Sequence, residues 1–285
     1  MPDPLSARLR AIVTQLTAAG VNDPVVDAEL LIGHVLGLSR GEVQAALVRG
    51  DGISDDQAAA LDALVARRAA REPLQHLTGT AAFRHLELAV GPGVFVPRPE
   101  TETVVQFAID ALLGDAAPEP VAIDLGTGSG AIALAMATEV PHARVFAVER
   151  SPEAHAWAGR NTASAANVTL VLGDLATAFD ELRGTASVVI SNPPYIPDDA
   201  VPRDPEVRLF DPAQALYGGP DGLDVVRVIS RRAHELLRRG GTLVLEHGEL
   251  QAAAIRKILE TDGWRAVASH QDLTRRDRAT TALRP

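Results

Sequence analysis

From residue 121 onward, short apolar runs rich in β-branched residues alternate with helical patterns, and few folds accommodate that alternation. Val121–Leu125, Arg144–Glu149, Val168–Leu172 and residues 187–191 read as strands, and helices are expected over 130–138 and 152–166. A helix over 222–238, a strand over 242–246, a helix over 249–261 and two closing strands near 265–270 and 279–283 complete the series. Strands separated by helices predict a doubly wound, mostly parallel α/β sheet, because parallel neighbours need crossover connections. Ligands of such sheets bind beyond the carboxyl ends of the strands, near the switch in strand order. The strand ends are therefore where chemistry is sought.

The residues ahead of this pattern read differently. Leu5, Leu9, Ile12, Val13 and Leu16 share one helical face, and Gly20 ends that helix. A second helix is expected from Pro24 to Leu38 and a third over 41–48. Ser54 with Gln57 forms a capping-box signature opening an alanine-rich helix to Arg71, which Pro73 stops. This bundle (residues 1–74) carries no chemical constellation, which suits partner recognition. Residues 75–98 are expected to form a β-hairpin linker. Phe83–Val90 is one strand, Gly91-Pro92-Gly93 the turn and Val94-Phe95-Val96 the second strand. With only ten aromatic residues in the chain, Phe83 and Phe95 in one segment suit either core packing or the wall of a pocket. Pro99 and Glu100 open a helix, and residues 99–285 form the second domain.

Composition removes several classes of function. The chain has no cysteine, so disulfides, thiolate metal sites and cysteine nucleophiles are excluded. The eight histidines show no metal-binding spacing, and no metal is expected. Net charge is −10; residues 1–99 carry nine basic and eleven acidic groups, and residues 100–285 eighteen and twenty-six. Proteins that grip nucleic-acid backbone usually present a basic face, so a stable nucleic-acid partner is disfavoured. Met1-Pro2-Asp3-Pro4 lacks a basic and apolar leader pattern, and no apolar run approaches the ~20 residues of a membrane span. A cytoplasmic protein with no membrane partner is expected, and a monomer.

Four strand ends carry candidate ligands. Asp124-Leu125-Gly126-Thr127-Gly128-Ser129-Gly130 closes the first strand and opens a helix; its glycines allow a tight turn and close approach of a nucleotide-like cofactor. Gly126, Gly128 and Ala131 also satisfy the dinucleotide fingerprint, and Glu149 lies at the distance of a ribose-binding acid, so a nicotinamide dehydrogenase competes on this segment. An ionised Glu149 can accept both ribose hydroxyls. Asp174 could take an adenine amino hydrogen while Leu175 packs on the ring. The fourth strand ends in Asn192-Pro193-Pro194-Tyr195. Each proline fixes its own φ and pushes the residue before it towards extended backbone. Asn192 Oδ1 and the Pro193 carbonyl could thus grip the two hydrogens of an –NH2 group, with Tyr195 as a flat surface beside it.

A nucleoside site next to an –NH2 clamp is the arrangement a methyl donor needs. On these residues the sequence resembles the S-adenosylmethionine-dependent methyltransferases with an Asn-Pro-Pro-Tyr motif, and more narrowly the release-factor glutamine methyltransferase family. The markers are Leu77-Thr78-Gly79, Val94–Glu102 with its Pro97-Arg98-Pro99, Asp124–Gly130, Ser191–Ile196, Pro212, Ala215-Leu216, Gly218-Gly219, Asp221-Gly222-Leu223 and Leu245-Glu246. The resemblance implies a Rossmann-like methyltransferase sheet and S-adenosyl-L-methionine as cofactor, held by Gly126, Thr127, Gly128, Ser129, Gly130, Glu149, Asp174, Leu175 and Asn192. It implies peptide chain release factors as protein partners and Asn192, Pro193 and Tyr195 as catalytic residues. Pro194 and Phe95 would join them against the substrate glutamine. An amino-methyltransferase of adenine or guanine and a non-catalytic adaptor are the other readings. Glu149 stands where the family more often has aspartate. His247 replaces an aliphatic residue usual after Glu246, and nothing in the sequence accounts for it.

Overall fold

The computed structural model describes residues 3–285. Met1 and Pro2, part of the segment read above for a leader, lie outside the described residues. The chain divides into two compact units, residues 1–80 with 203–210, and residues 81–202 with 211–285.

The first unit is helical: α1 (Leu5–Ala18), α2 (Pro24–Leu36), α3 (Arg40–Arg49), α4 (Asp55–Ala69) and α5 (Leu74–Thr78). A short pair, β1 (Asp3–Pro4) with β2 (Gly52–Ile53), runs antiparallel. Leu5, Ile12, Leu16, Leu31, Ile32, Leu61 and Val65 form its core. Ser54 and Gln57 make the expected capping box, and Ser39 with Glu42 makes a second one at α3. Arg68 on α4 pairs with Asp27 on α2 at 2.7 Å inside this unit. Arg68 and Arg71 also hold Glu206, at 2.9 and 2.6 Å. Residues 203–210 therefore belong to the helical unit, although in sequence they lie within the segment that leaves Asn192.

The second unit starts within β3 (Thr80–Phe83), at residue 81; β3 pairs with β4 (Leu86–Ala89), and α6 (Pro99–Leu113) follows. The hairpin thus turns at Arg84-His85 rather than at Gly91–Gly93, and Val94–Val96 is unpaired. Arg84 adopts a left-handed φ of 53°, and its guanidinium reaches Glu139 at 2.6 Å and Gln106 at 2.7 Å. Phe83 is fully buried in the core, while Phe95 is only half-buried.

The main sheet comprises β5 (Val121–Leu125), β6 (Arg144–Glu149), β7 (Val168–Leu172), β8 (Ala186–Ser191), β9 (Leu237–Glu246), β10 (Arg265–Gln271) and β11 (Asp277–Leu283). Its order is β10-β11-β9-β8-β5-β6-β7, with the first two strands antiparallel to their neighbours and the rest parallel. The helices are α7 (Ala131–Glu139), α8 (Pro152–Thr162), α10 (Asp224–Leu236) and α11 (Ala252–Thr261); α9 (Pro205–Phe210) is the segment in the helical unit. Alternate residues of the central strands β5 and β8 feed opposite cores. Ala122, Val188 and Ile190 pack with α6 and α7, whereas Ile123, Leu125 and Val189 pack with α10 and α11. Burial on both faces is why these strands read as continuous apolar runs. Strand order reverses between β8 and β5, and the crevice beyond their carboxyl ends is where such sheets bind ligands. Among the described residues no helix is long and apolar enough to cross a membrane.

Candidate active site

The loop after β5 is shaped by three glycines with positive φ, 82° at Gly126, 57° at Gly128 and 82° at Gly130. A side chain at Gly128 would meet no atom within 4 Å, so the backbone there borders open space. The Gly126 and Thr127 N–H groups both donate to the Val148 carbonyl, each at 3.0 Å. The Thr127 hydroxyl donates to Asp124 Oδ2 at 2.5 Å, so this side chain fastens the loop from inside. Asp124 is fully buried and its Oδ1 has no partner. Burial pushes its carboxyl up to about 7, the Thr127 hydrogen bond opposing and Glu149 adding to the rise. Ser129 is buried too, and its carbonyl accepts from Asn161 at 2.8 Å.

Glu149, at the end of β6, accepts the Gly128 N–H at 2.9 Å on Oε2 and the Ser151 N–H at 2.8 Å on Oε1. Each carboxylate oxygen retains a lone pair, so the group can still accept two hydroxyls. Asp174, after β7, is exposed; its Oδ1 accepts the Ala176 N–H at 2.8 Å and so shapes its own turn. Leu175 is half-buried, its Cδ2 4.0 Å from where a side chain at Gly126 would begin. The ends of β5, β6 and β7 therefore converge as the strand pattern required. The half-buried Leu175 and the open face at Gly128, beside an acceptor-only carboxylate, suit an apolar ring and a ribose.

Asn192 follows β8, and the register of Asp124 against Ile190 sets it beside Gly126. The Ser191 hydroxyl donates to the Leu125 carbonyl at 2.5 Å, tying the two strand ends together. Asn192 Nδ2 donates to Thr101 Oγ1 on the first turn of α6 at 3.4 Å. Past Asn192 the backbone is gripped from several sides. The Ile196 N–H donates to Leu216 O at 2.8 Å, and Gly218 N–H to Ile196 O at 2.9 Å. Gln251 Nε2 donates to Tyr195 O at 2.8 Å. A side chain at Gly222, whose φ is 73°, would lie 2.2 Å from that same oxygen, so only glycine admits this contact.

Tyr195 is half-buried, and desolvation with the nearby Glu246 charge pushes its phenol up to about 12. It stays neutral across the physiological range. Arg98 caps the ring of Phe95 at 4.9 Å and pairs with the buried Asp211 at 2.6 Å. Burial raises the Asp211 carboxyl above the ordinary aspartate range, with Arg98 opposing. The Pro-Arg-Pro segment thus sets the attitude of Phe95.

Sequence reasoning missed Gln251 as part of this site, and saw Arg98, Thr101 and Glu246 only as markers. Each acts across a long stretch of chain, so no local signal reports it. His247 now has an account. It is fully buried, with Nε2 2.9 Å from Thr280 Oγ1 and Nδ1 3.0 Å from the Gly248 carbonyl. A carbonyl can only accept, so Nδ1 carries the hydrogen and the Thr280 hydroxyl donates to Nε2. Desolvation lowers its pKa, which keeps the ring neutral.

Comparison with known proteins agrees with this geometry. Residues 8–79 match the PrmC N-terminal domain model and residues 86–219 the methyltransferase small domain model. A release factor glutamine methyltransferase of Streptomyces coelicolor is 49% identical over 281 residues, spanning 98% of this chain and 97% of that protein. The chain belongs to the release factor glutamine methyltransferase family. Another member, from Mycolicibacterium smegmatis, is 46% identical over 284 residues, spanning 98% of each chain. The crystal structure of a methyltransferase from Pyrococcus furiosus superposes with a TM-score of 0.51 at 21% identity, covering 78% of this chain and 97% of that one, and shares the fold. Membership of this methyltransferase family sets aside the nicotinamide dehydrogenase that the glycine loop alone left in competition.

Proposed function

We propose that this chain methylates the side-chain amide nitrogen of the glutamine in the Gly-Gly-Gln motif of peptide chain release factors, with S-adenosyl-L-methionine as donor. The observation that carries the reading is Asn192, set at the end of β8 beside the glycine loop with its nitrogen turned to Thr101. Its Oδ1 is left to accept. Gly126, Thr127, Gly128, Ser129 and Gly130 would hold the donor through backbone, Glu149 through the two ribose hydroxyls, and Asp174 with Leu175 around the adenine. Asn192 itself would border the donor. Bound there, S-adenosyl-L-methionine supplies an electrophilic sulfonium methyl group and leaves as S-adenosyl-L-homocysteine.

An amide nitrogen is a poor nucleophile because its lone pair is delocalised into the carbonyl. Asn192 Oδ1 and the Pro193 carbonyl each accept one amide hydrogen, orient the nitrogen, and shift electron density onto it. Orientation of this kind supplies up to roughly 7–11 kcal/mol. Each fixed acceptor adds on the order of 2.7–4 kcal/mol by analogy with oxyanion donors. Pro194 keeps Pro193 extended, and Tyr195 and Phe95 flank the amide plane. Residues 1–74, joined by 203–210, serve as the recognition bundle, 75–98 as the connecting segment and the rest of 99–285 as the catalytic domain, acting in the cytoplasm.

Incubating the purified protein with methyl-labelled donor and release factor, followed by peptide mass mapping, tests the reading. Label on the Gly-Gly-Gln glutamine is the expected result. Label confined to another residue, or transferred only to added DNA or RNA, overturns it.

A further inference from the structure

The Asn192 carboxamide can be packed two ways round, because its oxygen and nitrogen differ little in size. Sterics do not choose between them; hydrogen-bond polarity does. Ser191 pairs with Leu245 between β8 and β9, which brings the next residues, Asn192 and Glu246, alongside one another. Glu246 is only 2% exposed, and Thr101 and Asn192 are the side chains whose polar hydrogens favour its charged form. Asn192 Nδ2 also donates to Thr101 Oγ1 at 3.4 Å.

These contacts have a direction. In its ionised form Glu246 has no hydrogen to give, so a hydrogen bond between the two groups takes the single Thr101 hydroxyl hydrogen. The Thr101 oxygen is then an acceptor towards Asn192, as is Glu246 itself. Both of these groups accept towards Asn192, and only its –NH2 end satisfies them. An inverted Asn192 would set an oxygen against these acceptors and turn N–H groups towards a substrate that also presents N–H.

We infer that Glu246, acting through and with Thr101, is a positioning residue that orients the Asn192 carboxamide so that its oxygen faces the substrate amide. The inference rests on the clamp reading under Proposed function. It gives a reason for placing a carboxylate where burial is costly. Glu246 Oε2 has no partner, and desolvation pushes the carboxyl up to about 7 despite the nearby Arg278. A glutamine would fill the same space at less cost, but it offers a donor as readily as an acceptor and so loses the polarity.

Glu246→Gln is accordingly the informative variant, compared with Glu246→Asp, Thr101→Val, Thr101→Ser and Asn192→Ala in the full chain. The expected result for Glu246→Gln and Thr101→Val is a fall in kcat of about 10- to 100-fold, on the scale of one disordered acceptor. KM for release factor and donor affinity stay within about twofold, and the melting temperature does not fall, since polarity and not bulk is lost. Glu246→Asp and Thr101→Ser, which keep the polarity, recover most of that kcat. Independently of turnover, hydrogen exchange at the Asn192 side-chain amide is read by NMR on asparagine-labelled protein, its signals identified by their loss in Asn192→Ala. That exchange accelerates in Glu246→Gln and Thr101→Val. Wild-type kcat and exchange in Glu246→Gln would overturn the inference. So would equal losses in the Gln and Asp variants accompanied by lower melting temperature and donor affinity, which is the mark of a merely structural role. If Asn192→Ala retains turnover, the clamp reading itself fails; if Asn192→Ala is inactive while Glu246→Gln is normal, the orienting role alone fails.

Discussion

The loops leaving β5 and β8 end side by side, yet they are held in opposite ways. The glycine loop is fastened by its own neighbourhood: Thr127 to Asp124, three residues apart, and Gly128 to Glu149, twenty-one apart. The Asn192 loop is fastened from afar: Thr101 is ninety-one residues away and Gln251 fifty-six. A cofactor presents the same shape in every turnover, and a short local motif suffices to cradle it. On the proposed reading an –NH2 clamp must fix the direction of hydrogen bonds as well as position, and the partners that do so come from separate elements. Damage should therefore separate cleanly into binding defects at the first loop and turnover defects at the second.

The largest separation is expected from Asn192→Ala. Its kcat should fall about 10²- to 10³-fold, the loss seen when one fixed polar contact to a reacting group is removed. Donor affinity by calorimetry should change by no more than about threefold; retained turnover would end the clamp assignment. Next come two glycines given the same methyl group. At Gly222 that carbon would lie 2.2 Å from Tyr195 O, so the clamp must shift. Gly222→Ala is predicted to lose kcat about tenfold or more with donor affinity intact, the strain being of the ~1–3 kcal/mol kind. Gly128→Ala has free space but a φ of 57°, and a left-handed non-glycine residue costs roughly 1–2 kcal/mol. Donor affinity should weaken about tenfold while kcat at saturation stays near normal. Exchanged outcomes for these two variants would break the comparison.

Gln251→Ala removes the donor to Tyr195 O and is expected to cost about 1 kcal/mol of stability, read as a lower melting temperature with a severalfold loss of kcat. The last effect is electrostatic and shows only as a pH dependence. The Asp124 carboxyl, pushed up to about 7 by burial, binds a proton more tightly in the folded chain than in the unfolded one. Between the ordinary aspartate pKa of about 3.9 and that raised value, the folded state holds more protons, so this group's contribution lowers stability as pH rises. Asp124→Asn should flatten the fall in melting temperature between about pH 4 and 7. An unchanged slope would show that Asp124 does not titrate there.

How much of this was legible in the chain varies by element. Val121–Leu125 and Val168–Leu172 occupy the same residues in the structure as in the pattern: the first is a central strand that needs an unbroken apolar run, and the second, at the sheet edge, keeps the β-branched composition of a strand. The hairpin was misplaced. Val94–Val96 has strand-like composition, but the turn is made by Arg84, whose left-handed backbone accompanies hydrogen bonds to Glu139 and Gln106. Nothing near Arg84 in sequence reports those partners. Residues 203–210 follow Asn192 closely along the chain, yet their α9 belongs to the helical unit, where Glu206 meets Arg68 and Arg71. His247 was opaque for the same reason: its partner Thr280 lies across the strand pairing.

What the sequence determined alone is the alternating sheet, the glycine turn, the acid at the end of β6 and the stiff Asn-Pro-Pro-Tyr segment. All of these follow from periodicity, backbone restriction and charge within a few residues. Only the tertiary structure decided how those parts are held. It placed Thr101 and Glu246 behind Asn192, Gln251 and Gly222 on Tyr195 O, and Arg98 over Phe95. The physical reason is that a hydrogen bond's partner and direction are properties of two groups in space. One-dimensional order names the groups but not which of them meet.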